Sequence, residues 1–193
     1  MRKIVFSLMA VLTAAVFSWG FAPATALAQR QAPEFVLAKL QRTCQEAAHS
    51  GCQVKVVELT PEGIMALAGS QCYQVRGVAI YSLGEIGETR AVDLLIGMLQ
   101  DPDRHIRRIA VRALGKIGDN RAVEPLVAVL NQQGENVTVR CTAAWALGQM
   151  GDPQACAALE RMARAADGPL SVASREAVGN SGHNRAQALN SNL

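Results

Sequence analysis

The chain has 193 residues, half of them apolar, 18% charged and only 4% aromatic, with a formal net charge of +3. That much apolar material excludes a disordered chain, and 16 Gly and 7 Pro without a triplet rhythm exclude a collagen-like one. The length fits one domain or two small ones.

Met1-Arg2-Lys3, the apolar run from Ile4 to about Phe21 and the small-residue end Ala26-Leu27-Ala28 have the layout of a secretory signal peptide, residues 1–28. A membrane anchor fits less well, because Ser7, Thr13, Ser18, Gly20 and Pro23 interrupt the run. Cleavage near Ala28 would remove Arg2 and Lys3 and bring the net charge to +1. It would leave four aromatic residues, Phe35, Tyr73, Tyr81 and Trp145. The expectation is an exported protein, periplasmic or secreted, with no transmembrane helix in the mature form. Near neutrality and few stacking platforms argue against a nucleic-acid partner.

Residues 29–72 are expected to form an N-terminal helical cap containing three cysteines, Cys44, Cys52 and Cys72. A helix is predicted from about Pro33 to Ala48, with Phe35, Val36, Leu40 and Cys44 on its apolar side, stopping at Ser50-Gly51. Val54–Leu59 is β-branched and ambiguous. Thr60-Pro61-Glu62 then reads as the cap of a short helix ending at Leu67 or Ala68.

From Tyr73 the chain repeats itself. Leu83-Gly84-Glu85-Ile86-Gly87 recurs as Leu114-Gly115-Lys116-Ile117-Gly118, as Leu147-Gly148-Gln149-Met150-Gly151 and, less closely, as Val178-Gly179-Asn180-Ser181-Gly182. A period of about 31 to 33 residues signals stacked supersecondary units, with bounds near 73–103, 104–136, 137–167 and a degenerate 168–190. Each unit reads as two helices. The first carries apolar residues at helical spacing, such as Ile106, Ala110, Ala113 and Leu114; the second carries Val92, Leu95 and Leu99, or Val123, Leu126 and Leu130. The Gly-x-x-Gly between them predicts a helix stop, with Asp119 and Asp152 placed to cap the second helix. The predicted fold is all-α, a solenoid of stacked helix pairs.

The chain resembles the HEAT-like repeats of the phycobilisome-lyase type, an armadillo-type α-solenoid family. The resemblance rests on Val75-Arg76, Ile106-Arg107 and Val139-Arg140 at the helix starts, on Ala79, Ala110 and Ala143, on the Leu-Gly-x-Ile/Met-Gly turns and on Asp101-Pro102-Asp103. It covers about residues 73–190. In the last unit Ser171 replaces the arginine and Ser174 the alanine. The resemblance implies either a protein-binding scaffold or, from the phycobilin lyases, a subunit or chaperone acting near a tetrapyrrole attached to cysteine.

Counting around the first helices at 100° per residue turns Ile80 and Tyr81, then Arg108, Val111 and Arg112, then Cys141, Ala144 and Trp145 away from the core. Tyr81, Arg112 and Trp145 are equivalent positions and are expected to align in a column. Their residue types are those enriched at binding hot spots. The alternative is that each helix touches neighbours on more than one side and needs a wide apolar arc. On the second helices, Asp93, Glu124, Glu160 and Arg161 vary between units, as partner-reading positions do. Arg104, Arg107, Arg108, Arg112 and Lys116 form a basic cluster, suited to an acidic partner, phosphate or anionic lipid, or simply a solvated face. Arg76, Arg107 and Arg140 are expected to bridge to a turn or linker acid in an adjacent unit.

No catalytic set emerges. His49, His105 and His183 are scattered and none adjoins a glutamate. Deoxyhypusine hydroxylase, a HEAT-repeat enzyme that holds iron through His-Glu pairs, is therefore not matched in activity. No metal ligand set and no cofactor are expected. In an oxidising compartment Cys44–Cys52 or Cys52–Cys72 would staple the cap. A Cys141–Cys156 bridge is less favoured, because the two positions face different ways. Cys141 is the candidate free thiol, open to a disulfide-linked dimer, since five cysteines leave one over. The reading is an exported, non-enzymatic scaffold or adaptor for a protein or peptide; the alternative is a phycobilin-lyase-like subunit.

Overall fold

A computed structural model describes residues 24–49 and 59–190, with side chains for 34–49 and 59–181. Cys52 and the ambiguous Val54–Val57 lie outside these. The chain divides into two units, Met1–Gln31 and Ala32–Leu193. All regular structure among the described residues is helical.

Helix α1 spans Ala24–His49, so the expected cleavage point after Ala28 falls within it. From Ala32 onward it buries Val36, Leu40 and Ala47. Helix α2, Pro61–Ala68, starts as its sequence predicts: Thr60 Oγ1 accepts a hydrogen bond from Gly63 N at 3.2 Å, and Pro61 occupies the first turn, where no N–H is needed.

Three first helices of equal length follow: α3 (Tyr73–Ile86), α5 (Arg104–Ile117) and α7 (Val137–Met150). Each ends on a left-handed glycine, Gly87, Gly118 or Gly151, with φ between 63° and 71°. There a Cβ would be strained, so the expected helix stop belongs to the second glycine of each pair. The second helices are α4 (Val92–Gly97, extended at both ends by short 3-10 turns), α6 (Val123–Asn131) and α8 (Pro153–Ala165). Side chains of Glu88, Asp119 and Asp152 accept hydrogen bonds from the first free N–H groups of these segments.

The first glycine of each pair does something else. Gly84, Gly115 and Gly148 lie inside their helices against Ala113, Ala146 and Ala177 of the next first helix. They let α3 approach α5, α5 approach α7, and α7 approach α9 (Pro169–Asn190). Each first helix also packs on the second helix before it: α2 on α3, α4 on α5, α6 on α7 and α8 on α9. The core is one continuous apolar seam, with Val75, Leu83, Leu95, Ile106, Leu114, Leu126, Leu147 and Leu159 buried. Burying one such Leu or Ile contributes about 2 kcal/mol.

Two expectations are revised. The fourth glycine pair makes no turn, because α9 runs on through Gly182 to Asn190. The physical reason is visible in the sequence: His183 stands where Glu88, Asp119 and Asp152 supply a capping carboxylate. In addition α2 occupies, relative to α3, the place that α6 has relative to α7, so the stacking begins before Tyr73.

The arginines repeated at the first-helix starts work as clamps. Arg107 Nη1 donates to the carbonyls of Asp101 and Pro102 before its helix, while Nε and Nη2 grip Glu135 at 2.6 and 2.7 Å after it. Arg76 spans the same two places more weakly: Nη1 donates to Ser70 O at 2.7 Å, and Nε stands 3.1 Å from Asp101 as an ion pair without a hydrogen bond. The acid thus belongs to the linker closing the same unit, not to an adjacent one. Arg140 keeps only the backward half, donating to Leu130 O.

Candidate interaction face

Among the residues expected to point outward, Ile80, Val111 and Ala144 are instead fully buried. The preceding second helix packs on that side of each first helix, so the wide apolar arc is the correct reading for this register position. Ile80 is therefore core and not a contact residue. What remains outward is a stripe at every fourth residue: Tyr73, Tyr81 and Glu85 on α3, with the buried Gly77 between the two tyrosines; Arg104, Arg108, Arg112 and Lys116 on α5; Val137, Cys141, Trp145 and Gln149 on α7.

Two members of the predicted column touch, Arg112 and Trp145, while Tyr81 is met by a cation from α1. Lys39 of α1 stands 5.0 Å over the Tyr81 ring, and Arg112 stands 5.7 Å over the Trp145 ring. Trp145 itself lies against α5, its ring edge over Gly115. The Tyr81 hydroxyl donates to Glu85, and that bond, with burial, pushes the phenol above its ordinary range. Burial opposes ionisation of Glu85, but hydrogen bonds from Lys116 and Tyr81 outweigh it and hold the carboxyl below the usual value. Half-burial of Trp145 and Tyr81 places both packing and exposure in the same side chains.

Arg104 and Arg108 have no hydrogen bond or ion pair among the described residues. Two hollows flank them. Between α3 and α5 a groove of about 250 Å³ is lined mainly by Tyr73, Gly77, Val78, Tyr81 and Ile109. Between α5 and α7 a smaller one of about 170 Å³ is lined by Arg104, His105, Arg108, Asn136, Thr138 and Val139. His105 borders both.

The second helices present a different chemistry. Arg121 reaches back to Asp93 at 3.1 Å and to Thr89 O at 3.0 Å, as Arg90 reaches back to Glu62 at 2.6 Å. Asp93 is thus a rung of a ladder joining successive units. Glu124 is the next acid in the series, but Gln154 replaces the arginine that would meet it, and the acid stays exposed. Glu160 is held within α8 by Arg164 at 3.2 Å.

Burial chiefly, and the neighbouring Cys72, push the Cys44 thiol up, so these two cap cysteines lie within electrostatic reach of each other. The two expected staples both involve Cys52, outside the described residues. Burial also raises the Cys141 thiol, which makes it a poor nucleophile at neutral pH. Cys156 lies within hydrogen-bonding distance of Ser181 Oγ, at 3.4 Å. Among the described residues no group of three His, Cys, Asp or Glu is gathered to hold a metal ion, and no helix is long and apolar enough to cross a membrane.

Comparison with known proteins agrees with this geometry. A model of HEAT repeats matches residues 61–137, and one of the phycobilisome-lyase HEAT-like repeat matches residues 139–164. The chain belongs to the HEAT-repeat family. Its match begins at α2, consistent with the packing of α2 on α3. A search of curated proteins finds no match. Among solved structures, the complex of CpcE and CpcF of phycocyanin lyase from Nostoc sp. is similar at 32% identity and a TM-score of 0.54, over 69% of this chain and 57% of that one. Human deoxyhypusine hydroxylase in complex with glycerol shares the fold at 20% identity and a TM-score of 0.59, over 78% of this chain and 63% of that one. This HEAT-repeat chain therefore spans less than two thirds of either relative.

Proposed function

We propose that this HEAT-repeat protein is an exported adaptor that binds a protein partner across the outward stripes of α3, α5 and α7. The observation that carries the reading is the column of Tyr81, Arg112 and Trp145, three hot-spot residue types at equivalent positions of successive units, with Arg112 standing 5.7 Å over the Trp145 ring. Export rests on the layout of residues 1–28. The test is affinity capture from the envelope fraction with tagged protein and a Tyr81→Ala/Trp145→Ala variant. A specific partner retained by the first and lost from the second supports the reading; an unchanged set of captured proteins sinks it. N-terminal sequencing of the exported protein checks cleavage after Ala28.

A second reading is favoured by the similarity to the phycocyanin-lyase complex. On that reading the chain is a lyase-like subunit working beside another repeat protein. Mixing it with a bilin and recording the absorbance spectrum decides: a shifted and intensified band supports it, and an unchanged spectrum removes it.

A further inference from the structure

The stripe on α5 differs in kind from its neighbours. Arg104, Arg108, Arg112 and Lys116 succeed one another every fourth residue, about 6 Å apart along the helix. Lys116 is engaged by Glu85 and Arg112 by the Trp145 ring, while Arg104 and Arg108 carry charge that no side chain among the described residues answers. On the equivalent stripes of α3 and α7 the one carboxylate is Glu85, already taken. Lys39 adds a further cation at the edge of the same groove. Cationic side chains left unpaired beside an apolar hollow lined by Tyr73 and Tyr81 have a matching ligand chemistry: carboxylates in register with aliphatic or aromatic groups.

Resting on the adaptor reading above, we propose that this face docks an acidic amphipathic protein segment laid along α5. Its carboxylates meet Arg104 and Arg108, and an apolar side chain enters the groove beside Tyr81. Arginine suits this task because its fork takes a carboxylate through two parallel hydrogen bonds. A flat anionic surface would satisfy the arginines but leave the groove empty.

The probe is a fluorescein-labelled helical peptide with glutamates at every fourth position and leucines beside them, titrated against the full chain by fluorescence anisotropy. The expected result is saturable binding that weakens as salt rises. Arg104→Ala/Arg108→Ala is expected to lose at least about tenfold in affinity. Arg164→Ala/Arg175→Ala, which removes the same charge from α8 and α9, is expected to keep it. Thermal melts of the first variant are expected to match the parent, because neither arginine has a hydrogen bond or ion pair to lose among the described residues.

Equal losses in both variants would overturn the proposal, as would equal binding of the lysine counterpart peptide. So would phosphatidylserine vesicles that bind through Arg104 and Arg108 while the acidic peptide does not, or self-association of the chain through the same residues. The two readings also separate in affinity capture. A cellular partner that stays on Arg104→Ala/Arg108→Ala and leaves Tyr81→Ala/Trp145→Ala keeps the adaptor and removes the acidic ridge; one that stays on both removes both.

Discussion

At Gly115 an added Cβ would lie 2.6 Å from Ala146 Cβ and 2.7 Å from its Cα, so the backbones of α5 and α7 would have to part. Gly97, in contrast, is helical with open space around it, and the only thing its missing methyl changes is the freedom of the unfolded chain. The same Gly→Ala change is therefore expected to have opposite signs. Gly115→Ala is expected to destabilise by about 1–3 kcal/mol, and Gly97→Ala to stabilise by about 0.5–1 kcal/mol, both read from denaturant melts. Ser174 supplies a second contrast. Its hydroxyl is buried with no hydrogen-bond partner at the position that holds Ala79, Ala110 and Ala143 in the other units. Ser174→Ala is expected to raise stability by about 1 kcal/mol in the same assay.

These residue-scale effects show what pattern reading can and cannot reach. The alanines and leucines of the core were legible because their spacing is helical. The glycine pairs were legible as turns, but only the second glycine turns. The first is a contact between helices 31 to 33 residues apart, and one sequence shows only that it repeats. Ile80 was misplaced for a related reason. Periodicity locates one buried face, whereas a helix inside a stack has a second, supplied by the preceding α2.

At the scale of an element, the clamp around the start of α5 decides how firmly the repeat closes. Arg107 is about one fifth exposed and Glu135 nearly buried, so the pair is screened far less than a surface bridge. The hydrogen bond from Arg107 holds the Glu135 carboxyl below its ordinary value near 4.5, against the opposing effect of burial. A carboxyl lowered in the folded state stabilises above its unfolded pKa, and that contribution disappears as pH falls through the lowered value. The protein is thus expected to lose stability in acid below the ordinary carboxylate range. Glu135→Gln is expected to cost about 2 kcal/mol at neutral pH and to flatten that acid limb, measured by melts across the pH series. Arg140 has no such acid among the described residues, so the linker after α8 is expected to be the looser one by hydrogen exchange.

On the scale of the whole molecule, each repeat is stable only through its neighbours, and the last one must end without exposing the seam. Helix α9 does this by covering both α7 and α8 and then continuing as one long helix instead of folding back. Its Leu170 and Ala177 are buried, and Ala177 fills the hollow above Gly148. Ser171 reaches across to the carbonyl of Ala163 at 3.3 Å, tying the start of α9 to α8. A chain ending before Pro169 would leave Leu147, Gly148 and Leu159 facing water. In a stack whose energy is a sum of unit and nearest-neighbour terms, that loss falls first on α7 and α8 and then spreads. The truncated chain is expected to bind a hydrophobic dye and to melt earlier and over a broader range than the parent. A variant shortened only after Asn190 is expected to melt with the parent. If the first truncation melts as the parent does, α9 is an appendage and the stack is closed by α8 alone.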